Sequence, residues 1–316
     1  MRKLHWTTTV AVLAAPACLP AIAPWLASWH WSLDLLACFP VQAICWLALA
    51  AVTLAIARKW WLAGAAATFG AIGFLAIVAS QSGPNNSPDN VENAPRIRLL
   101  TLNLLRENEQ GHAAAWEVIQ HAQPDVIFCS EYTPHWQRFL ETRLDAWPHR
   151  CARPDHGHFG VAMFSRWPLT GEIRPMPQHW EPAIRATVTT PHGAIGVLGV
   201  HTPPPGFGER RARRRDDALL AVAAALDGLP DRRVVLGDCN ATPWNQAFGR
   251  MRRDAGLGGG TATGLHPTWP AQLPLPFRIP IDHVLVSAGL VVDEVEVGAA
   301  FGSDHLPLSA SVRIVR

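Results

Sequence analysis

The stretch "FGSDHLPLSASV", residues 301–312, ends in an alternation of apolar and polar residues close to the C-terminus. Alternation with a period of two is typical of a β-strand with one buried face. Ser303, Asp304 and His305 come directly before this strand, so an acid and an imidazole lie side by side at its start. One such pair is ordinary in a turn or a surface loop. The pair becomes informative because the same pattern recurs upstream.

Several other strand-like runs carry polar residues at one end or in the next loop. These are "LLTLN" with Asn103, "VIFCSE" with Glu131, "IGVLGVH" with His201, "VVLGDCN" with Asp238 and Asn240, and "IDHVLVS" with Asp282 and His283. Each group alone could be a helix cap, a turn or a surface residue. Loops at a sheet edge collect side chains from distant parts of a chain, so the groups together predict one cleft.

The region from Arg96 onward mixes these short apolar runs with helical stretches such as "HAAAWEVIQHAQ". Its apolar residues recur at helical spacing, and Pro124 follows its end. Strands interspersed with helices over a segment of this length predict one α/β domain with a large core.

The N-terminal region has a different composition. Charged residues make up 16% of the chain, against about 25% in an ordinary soluble domain. Residues 7–80 are nearly free of charge and contain three apolar runs, about 7–28, 33–57 and 60–80. Each run approaches the roughly 20 residues that cross a bilayer as a helix, so we predict three transmembrane helices. A signal peptide cleaved after "AIA", 21–23, is the alternative for the first run.

The positive charges predict the orientation of these helices. Arg2 and Lys3 precede the first run, and Arg58 and Lys59 separate the second from the third. The positive-inside bias assigns both sites to the cytoplasm. Three crossings then leave everything after Ser80 outside the cytoplasm.

The predicted organisation therefore has three parts. They are a transmembrane region at 1–80, a linker rich in Asn, Pro and Ser at 81–95, and a catalytic domain at 96–316. We expect a multi-pass protein of the cell (inner or plasma) membrane with an extracytoplasmic catalytic domain.

The residue types at the strand ends narrow the chemistry. Asn103, Glu131 and Asp304 offer hard oxygen ligands, which suit Mg²⁺ or Mn²⁺. His201 and His305 are natural proton-transfer groups near neutral pH. A divalent cation, carboxylates and two imidazoles are what hydrolysis of a phosphate ester requires.

The six cysteines do not indicate another type of site. No C-x-x-C occurs, which argues against a zinc knuckle. A disulfide framework is not expected, although the sequence leaves open one bridge among Cys129, Cys151 and Cys239.

The ordered motifs "TLN", "SE", "GVHTPP", "GDCNATPWN", "IDHVLVS" and "SDHLPL" resemble the endonuclease/exonuclease/phosphatase superfamily, in particular its membrane-anchored bacterial members. This group includes pancreatic-type deoxyribonuclease, apurinic endonucleases, inositol polyphosphate 5-phosphatases and neutral sphingomyelinases. The resemblance covers about residues 96–316 and depends mainly on the G-D-x-N and S-D-H elements. It implies an α/β (α+β) four-layered sandwich, with two mixed β-sheets flanked by helices, and a metal-dependent phosphoric ester hydrolase.

The resemblance also implies a metal-binding set. Glu131 matches the main metal-binding glutamate of the family, and Asn103 matches the asparagine that helps to hold the metal or the phosphate. Asp304 matches an aspartate near the metal. Ser130 replaces a glutamine common in the family, and Leu105 replaces an acidic residue found in some nucleases, which leaves the number of metals open.

The catalytic residues implied by the resemblance come from the later motifs. Asp238 and Asn240 match the pair that orients the nucleophilic water and contacts the phosphate. His305 matches the catalytic histidine, predicted here to be the base, and Asp282 the acid that orients it. His201 matches a second histidine present in several members. A basic residue is frequent in bacterial relatives at the position of Arg185, which implies a phosphate contact, with a structural role as the alternative.

We therefore expect a membrane-tethered phosphoesterase that acts on a phosphate ester or pyrophosphate. The tether favours a lipid-linked or surface substrate. An extracytoplasmic Mg²⁺-dependent nuclease is the alternative, but the main basic run, Arg210–Arg215, is partly neutralised by neighbouring acids. A catalytically dead membrane receptor or scaffold is a third reading, against which the complete set of His, Asp, Asn and Glu residues argues.

Overall fold

The computed structural model describes residues 6–81, 93–259 and 266–315. Its N-terminal helices are α1 (Trp6–Leu26), α2 (Trp31–Leu36), α3 (Pro40–Ile56) and α4 (Trp60–Ser80). The later helices are α5 (His112–Ala122), α6 (Pro134–Glu141), α7 (Glu209–Leu220), α8 (Val222–Ala225) and α9 (Gln246–Asp254). The strands are β1 (Arg96–Asn103), β2 (Val126–Ser130), β3 (His149–Arg153), β4 (Val161–Ser165), β5 (Leu169–Pro175), β6 (Pro182–Thr190), β7 (Gly193–His201), β8 (Arg233–Asp238), β9 (Asp282–Val286), β10 (Leu290–Val297) and β11 (Leu308–Ile314).

The strands form two mixed sheets. One sheet has the order β10-β11-β1-β2-β4-β3, and the other has the order β5-β6-β7-β8-β9. Each sheet contains one parallel pair, β1 with β2 and β7 with β8, while its other neighbouring strands run antiparallel. The prediction of two mixed sheets flanked by helices is confirmed.

The main core lies between the two sheets. Leu99 of β1 and Phe128 of β2 face Val197 of β7 and Leu236 of β8, and all four side chains are buried. Gly199 permits the approach, because a Cβ there would lie 2.3 Å from the Phe128 ring. The two sheets therefore contact each other directly, as the layered arrangement requires.

The outer face of each sheet is covered by helices. Leu102 and Ile127 of the first sheet pack with Ile119 of α5 and Trp136 of α6. Alternate residues of β1 and β2 thus serve two different cores, because successive side chains of a strand point to opposite faces.

The second sheet is covered in the same way. Its outward residues Leu198 and Val235 pack in one cluster with Leu219 of α7 and Phe248 of α9. Helices, sheet, sheet and helices give the four layers expected from the sequence.

The N-terminal helices differ from the prediction in one respect. Two of them are long and apolar enough to cross a membrane, Trp6–Trp29 (α1 with a short 3-10 turn) and α4. The 17 residues of α3 reach about 26 Å, short of the roughly 30 Å of a bilayer core. The predicted count of three transmembrane helices is therefore not confirmed.

The predicted second span, 33–57, is interrupted. It divides into α2 and α3, and Pro40 begins the second of these helices. Proline favours the first helical position because it has no N–H group to leave unpaired there. Asp34 lies in α2, the part of the predicted span that is not continuous with α3, and its side chain is buried.

The apolar helices α1, α3 and α4 pack through small side chains and expose larger ones. Ala21, Ala43, Leu47 and Ala66 form the buried contact. The outward side chains include Leu49, Val52, Phe74 and Leu75, each more than half exposed. Apolar surface of this extent marks a membrane or protein contact.

The orientation of the N-terminal helices and the linker at 81–95 remain predictions. The positive residues Arg2 and Lys3, and positions 82–92 of the predicted linker, lie outside the described residues. Arg58 and Lys59 do lie in the turn between α3 and α4.

All six cysteines are free thiols, so Cys129, Cys151 and Cys239 form no disulfide.

Candidate active site

The sheet topology brings the predicted residues to one edge of the sandwich. In the parallel pair β1 and β2, Asn103 lies beside Ser130, directly before Glu131. In the parallel pair β7 and β8, His201 lies beside Asp238. Parallel strands end at the same edge, so each pair delivers two polar side chains together.

Antiparallel neighbours add the remaining residues at the same edge. Asp282 begins β9 opposite Asp238. The strand β11 runs antiparallel to β1, so the loop that precedes it lies at the carboxyl end of β1. There the Ser303 hydroxyl donates to the backbone oxygen of Asn103 at 2.7 Å and accepts from the backbone N–H of His305 at 3.1 Å.

His305 and Asp282 form a short hydrogen-bonded pair in the site. Nδ1 of His305 lies 2.8 Å from Oδ2 of Asp282, and both side chains are buried. The Thr268 hydroxyl donates to the same carboxylate oxygen at 2.5 Å. These contacts fix the imidazole plane and leave Nε2 facing the interior of the site.

Asp238 lies between the two histidines. Its Oδ2 is 3.5 Å from Nε2 of His201 and 3.6 Å from Nε2 of His305. The backbone N–H of Asn240 donates to Oδ1 of Asp238 at 2.8 Å, and the Asn240 amide group donates to the Thr202 carbonyl at 2.8 Å. Asn240 holds a left-handed φ of 45° to make these contacts.

Glu131 and Asn103 form the other half of the site. The Asn103 amide nitrogen donates to Oε1 of Glu131 at 3.3 Å and to Oδ2 of Asp238 at 3.1 Å. Oε2 of Glu131 accepts the backbone N–H of Arg106 and lies 3.1 Å from Nδ1 of His158. Asn103 therefore bridges the two carboxylates.

Burial and charge shift the pKa values of these groups in different directions. Burial raises the pKa of Asp238 to about 6, although His305 opposes that rise. Burial lowers the pKa of His305, but the adjacent Asp282 and Asp238 raise it to about 10. Burial also raises the pKa of Glu131 and of Asp282, yet His201 and His305 respectively lead the effects that hold them below their usual values.

The charge balance of the site fits a divalent cation. Among the residues that the structure describes, no Lys or Arg side chain forms an ion pair with Glu131, Asp238 or Asp282. The protonated His305 compensates Asp282 and Asp238, whereas Glu131 pairs only with His158 among the described residues. A buried carboxylate without full compensation is costly. Hard oxygen ligands at the Glu131 end suit Mg²⁺ or Mn²⁺.

A second grouping of possible ligands overlaps the catalytic residues. Ligand atoms of Asp238, Asp282 and His305 lie within 4.8 Å of one another. We interpret these three as a charged cluster rather than a metal site, because a hydrogen bond already joins Asp282 and His305 and Asp238 lies 3.6 Å from the same imidazole. A metal bound between them would have to break that contact.

Asp304 lies beside the site with its carboxylate engaged. The Trp269 indole N–H donates to Oδ2 of Asp304 at 3.1 Å, and the backbone N–H of Ala271 donates to its carbonyl at 2.8 Å. Asp304 also helps to raise the pKa of His305, after the larger effects of the other two aspartates.

Arg185 does not join the cluster. Its Nε donates to the Ala225 carbonyl at 2.6 Å, its Nη1 pairs with Glu172 at 2.9 Å, and Nη2 contacts the Asp227 carbonyl. The position in the middle of β6 directs the guanidinium to the end of α8. The structure supports the structural alternative for this residue and not the predicted phosphate contact.

Three contacts in the site were not assigned from the sequence. His158 lies against Glu131, Thr268 holds Asp282, and Ser303 connects β1 to the last loop. Ser303 is the first residue of the S-D-H element, and His158 lies in "DHGHFG". Their partners lie far away in the sequence, so local patterns gave them no role.

The chain belongs to the Endonuclease/Exonuclease/phosphatase family, whose profile matches residues 100–305. Members of this family are typically hydrolases of phosphate esters and generally use divalent metals. No curated protein matches the sequence.

Solved structures share this fold. A humanized TDP2 of D. rerio carrying 14 mutations has a TM-score of 0.59 at 16% identity, covering 69% of this chain and 99% of its own. A family member from Beutenbergia cavernae has a TM-score of 0.55 at 21% identity, covering 70% and 72%. Sphingomyelinase C from Streptomyces griseocarneus has a TM-score of 0.51 at 16% identity, covering 69% and 99%.

Proposed function

We propose that the protein is a membrane-anchored phosphoesterase that depends on a divalent cation and hydrolyses a phosphate ester or pyrophosphate of a lipid-linked substrate. One observation carries the proposal: His305 pairs with Asp282 and Asp238, and within the described part of the chain no Lys or Arg forms an ion pair with the nearby Glu131. Such an arrangement offers both a proton-transfer chain and a cation site.

Glu131 and Asn103 would hold the cation, with Asp304 nearby, as the family resemblance implies. When bound, the cation would neutralise charge on the phosphoryl oxygens. The fixed Asn103 amide and the buried Glu131 carboxylate would orient the phosphoryl group toward Asp238. Because these side chains are already held by hydrogen bonds, they need little rearrangement to bind substrate.

His305, Asp238 and Asp282 have different roles in the proposed reaction. The raised pKa of His305 favours its imidazolium form, which suits electrostatic contact with a phosphoryl group better than the role of base predicted from sequence. Asp238 accepts the proton of the attacking water, and its pKa of about 6 is closer to neutrality than that of an ordinary aspartate. Asp282 keeps His305 charged and oriented.

An exposed apolar loop supports a substrate at the membrane surface. Leu273, Leu275 and Phe277 are 43%, 62% and 61% exposed. The loop begins at Ala271, which contacts Asp304, and ends at Arg278, whose carbonyl accepts the amide of Gln42 in α3 at 3.0 Å. It therefore connects the active site to the first turn of an apolar helix.

A nuclease is the second candidate, and one observation favours it. Trp180 is more than half exposed and contacts Phe159, whose ring lies 5.4 Å from that of His201. The Arg214 guanidinium lies 4.4 Å from the Trp180 ring centre. Aromatic and arginine faces of this kind can stack bases. A D. rerio TDP2 of the same fold has been crystallised with a single-strand DNA product.

The experiment uses the full chain in detergent or nanodiscs. We expect phosphate release from a polyprenyl pyrophosphate with Mg²⁺, and its loss with EDTA. His192→Ala should keep wild-type activity and serves as the control for histidine substitutions in the site, because His192 is exposed on a turn outside it. Activity that survives EDTA would contradict cation dependence, and faster nicking of plasmid than lipid turnover would promote the nuclease.

The proposed orientation has a separate test. A phosphatase reporter fused after Ser80 should be active, because the turn with Arg58 and Lys59 lies at the other end of α4. An inactive reporter in a stable fusion would reverse the orientation without affecting the chemistry.

A further inference from the structure

A buried ion pair joins the N-terminal helices to the loop that carries Asn240. We call residues 30–39, between α1 and α3, the connector. Its Asp34 is 5% exposed and contacts the Arg215 guanidinium of α7, which is fully buried. These partners lie 181 positions apart in the sequence.

Arg215 also contacts the backbone of Asn240, next to the active site. Its Nη1 donates to the backbone oxygen of Asn240 at 3.2 Å, and its Nε donates to Asp216 at 2.7 Å. The donor matters because Asn240 has a left-handed backbone, which is unfavourable for a residue with a Cβ. The Arg215 contact fixes one side of this residue, and Asp238 and Thr202 fix the other.

Asn245 holds the same aspartate from the opposite side. Its Nδ2 donates to the Asp34 carboxylate at 3.0 Å and to the Asp34 carbonyl at 2.9 Å. Its Oδ1 accepts the backbone N–H of Thr242 at 2.7 Å. The connector is thus bonded to both ends of the segment 240–245.

The connector also touches the segment that leads into β9. Cys38 is buried with Ile279 and Ile281, and Trp269 packs against this cluster. The Ile281 carbonyl accepts the backbone N–H of Cys239 at 2.9 Å. Asp282 follows immediately, so the connector supports two of the catalytic segments.

We infer that Asp34 is a positioning residue: through Arg215 and Asn245 it fixes the loop of Asn240, so the N-terminal helices complete the active site as well as anchoring it. The effect on rate rests on the proposed function. The effect on the loop does not.

The first test is Asp34→Asn in the full chain. We expect kcat to fall about tenfold, as for other supporting partners of a catalytic group, with KM within about twofold. Hydrogen exchange of the backbone amides in 239–246 should become faster. The control is Asp293→Asn, because Asp293 pairs with Arg96 and Arg313 away from the site. An unchanged kcat together with unchanged exchange in Asp34→Asn would overturn the inference.

The second test separates positioning from stability. In Asp34→Leu/Arg215→Met/Asp216→Asn all three charges of this group are removed, and replacing a buried ion pair or triad by uncharged residues can preserve stability. Among the residues that the structure describes, no other side chain donates to the Asn240 carbonyl. We expect a near-normal Tm with kcat still about tenfold low. Recovery of kcat along with Tm would show that the pair is only structural and would overturn the proposal.

The two proposals fail in different ways. If the wild-type chain hydrolyses no phosphate ester, the proposed function fails. Hydrogen exchange of 239–246 in Asp34→Asn would still decide whether the connector holds the loop.

Discussion

Two buried clusters of charged side chains lie on either side of the segment 238–245, and they differ in charge balance. In the connector cluster, Arg215 faces Asp34 and Asp216. In the catalytic cluster, buried carboxylates face imidazoles and no Lys or Arg within the described residues. The permanent charge of Arg215 holds a backbone in place, whereas the imidazoles of the second cluster can gain or lose a proton. The difference is the reason for proposing that only the second cluster is catalytic.

The largest expected effect comes from removing the imidazole of the catalytic cluster. His305→Ala should lower kcat by about a thousandfold, as expected when a positioned group that stabilises charge in the transition state is lost. Phosphate release under saturating Mg²⁺ measures it, with His192→Ala retaining full activity. A His305→Ala rate within tenfold of wild type would contradict the role of the His305–Asp282 pair.

Removing the connector cluster should have a smaller effect. A fragment of residues 93–316 lacks Asp34, so Arg215 loses one of its two carboxylates. We expect kcat about tenfold below the full chain and a lower Tm. Adding Arg215→Met together with Asp216→Asn, which removes the charges left in the cluster, should restore part of the Tm but none of the rate. A fragment as fast as the full chain would show that the two clusters are independent.

The catalytic cluster should also respond to pH in the absence of metal. The pKa of His305 is about 10 in the folded state, against about 6.5 in an unfolded chain. The folded state therefore binds the extra proton between these values. Its contribution to stability is complete below about pH 6.5 and is lost as the pH rises toward 10. The Tm in EDTA should fall over this window.

His305→Gln is the control for that titration. It should flatten the decline of Tm between about pH 6.5 and 10, because no imidazole remains to release a proton. A decline that is equally steep in the variant would assign the effect to other groups.

The smallest expected effect concerns the apolar loop near the membrane. Phe277→Ser should slow turnover of a substrate in bilayers a fewfold, because less apolar surface can enter the interface. Turnover of a short-chain, water-soluble substrate should not change. If Phe277→Ser changed the turnover of both substrates by the same factor, this loop would no longer support a lipid substrate.

Trp180→Ser is the corresponding variant for the nuclease candidate, and we expect it to slow only nucleic acid cleavage.

Much of the fold could be predicted because its signals are local. Period-two alternation in β11 and helical spacing in α5 follow from the geometry of one element each. The polar residues at the strand ends were found in the same way. The prediction that His201, Asp238 and Asp282 meet needs only that their strands are neighbours in one sheet, which they are.

The sequence left residues undecided where their partners lie far away along the chain. Arg185 has the residue type of a phosphate ligand, yet its register in β6 turns it to Glu172 and to the end of α8. Asp34 lies within the run 33–57 that was predicted to cross the membrane, and its partner is in α7. The sequence alone indicated no partner for His158, which lies against Glu131 in the structure. None of these assignments depends on hydrophobic periodicity.

Residue patterns alone were enough to predict the family and the layered sheets and to name candidate groups for the site, because strand alternation and motif order lie in neighbouring residues. The pKa shifts of those groups and the contacts between the N-terminal helices and the segment 240–245 follow only from the packed chain. Charge state depends on burial and on opposing charges within a few ångströms. Those distances exist only after segments such as the connector and α7 have packed together.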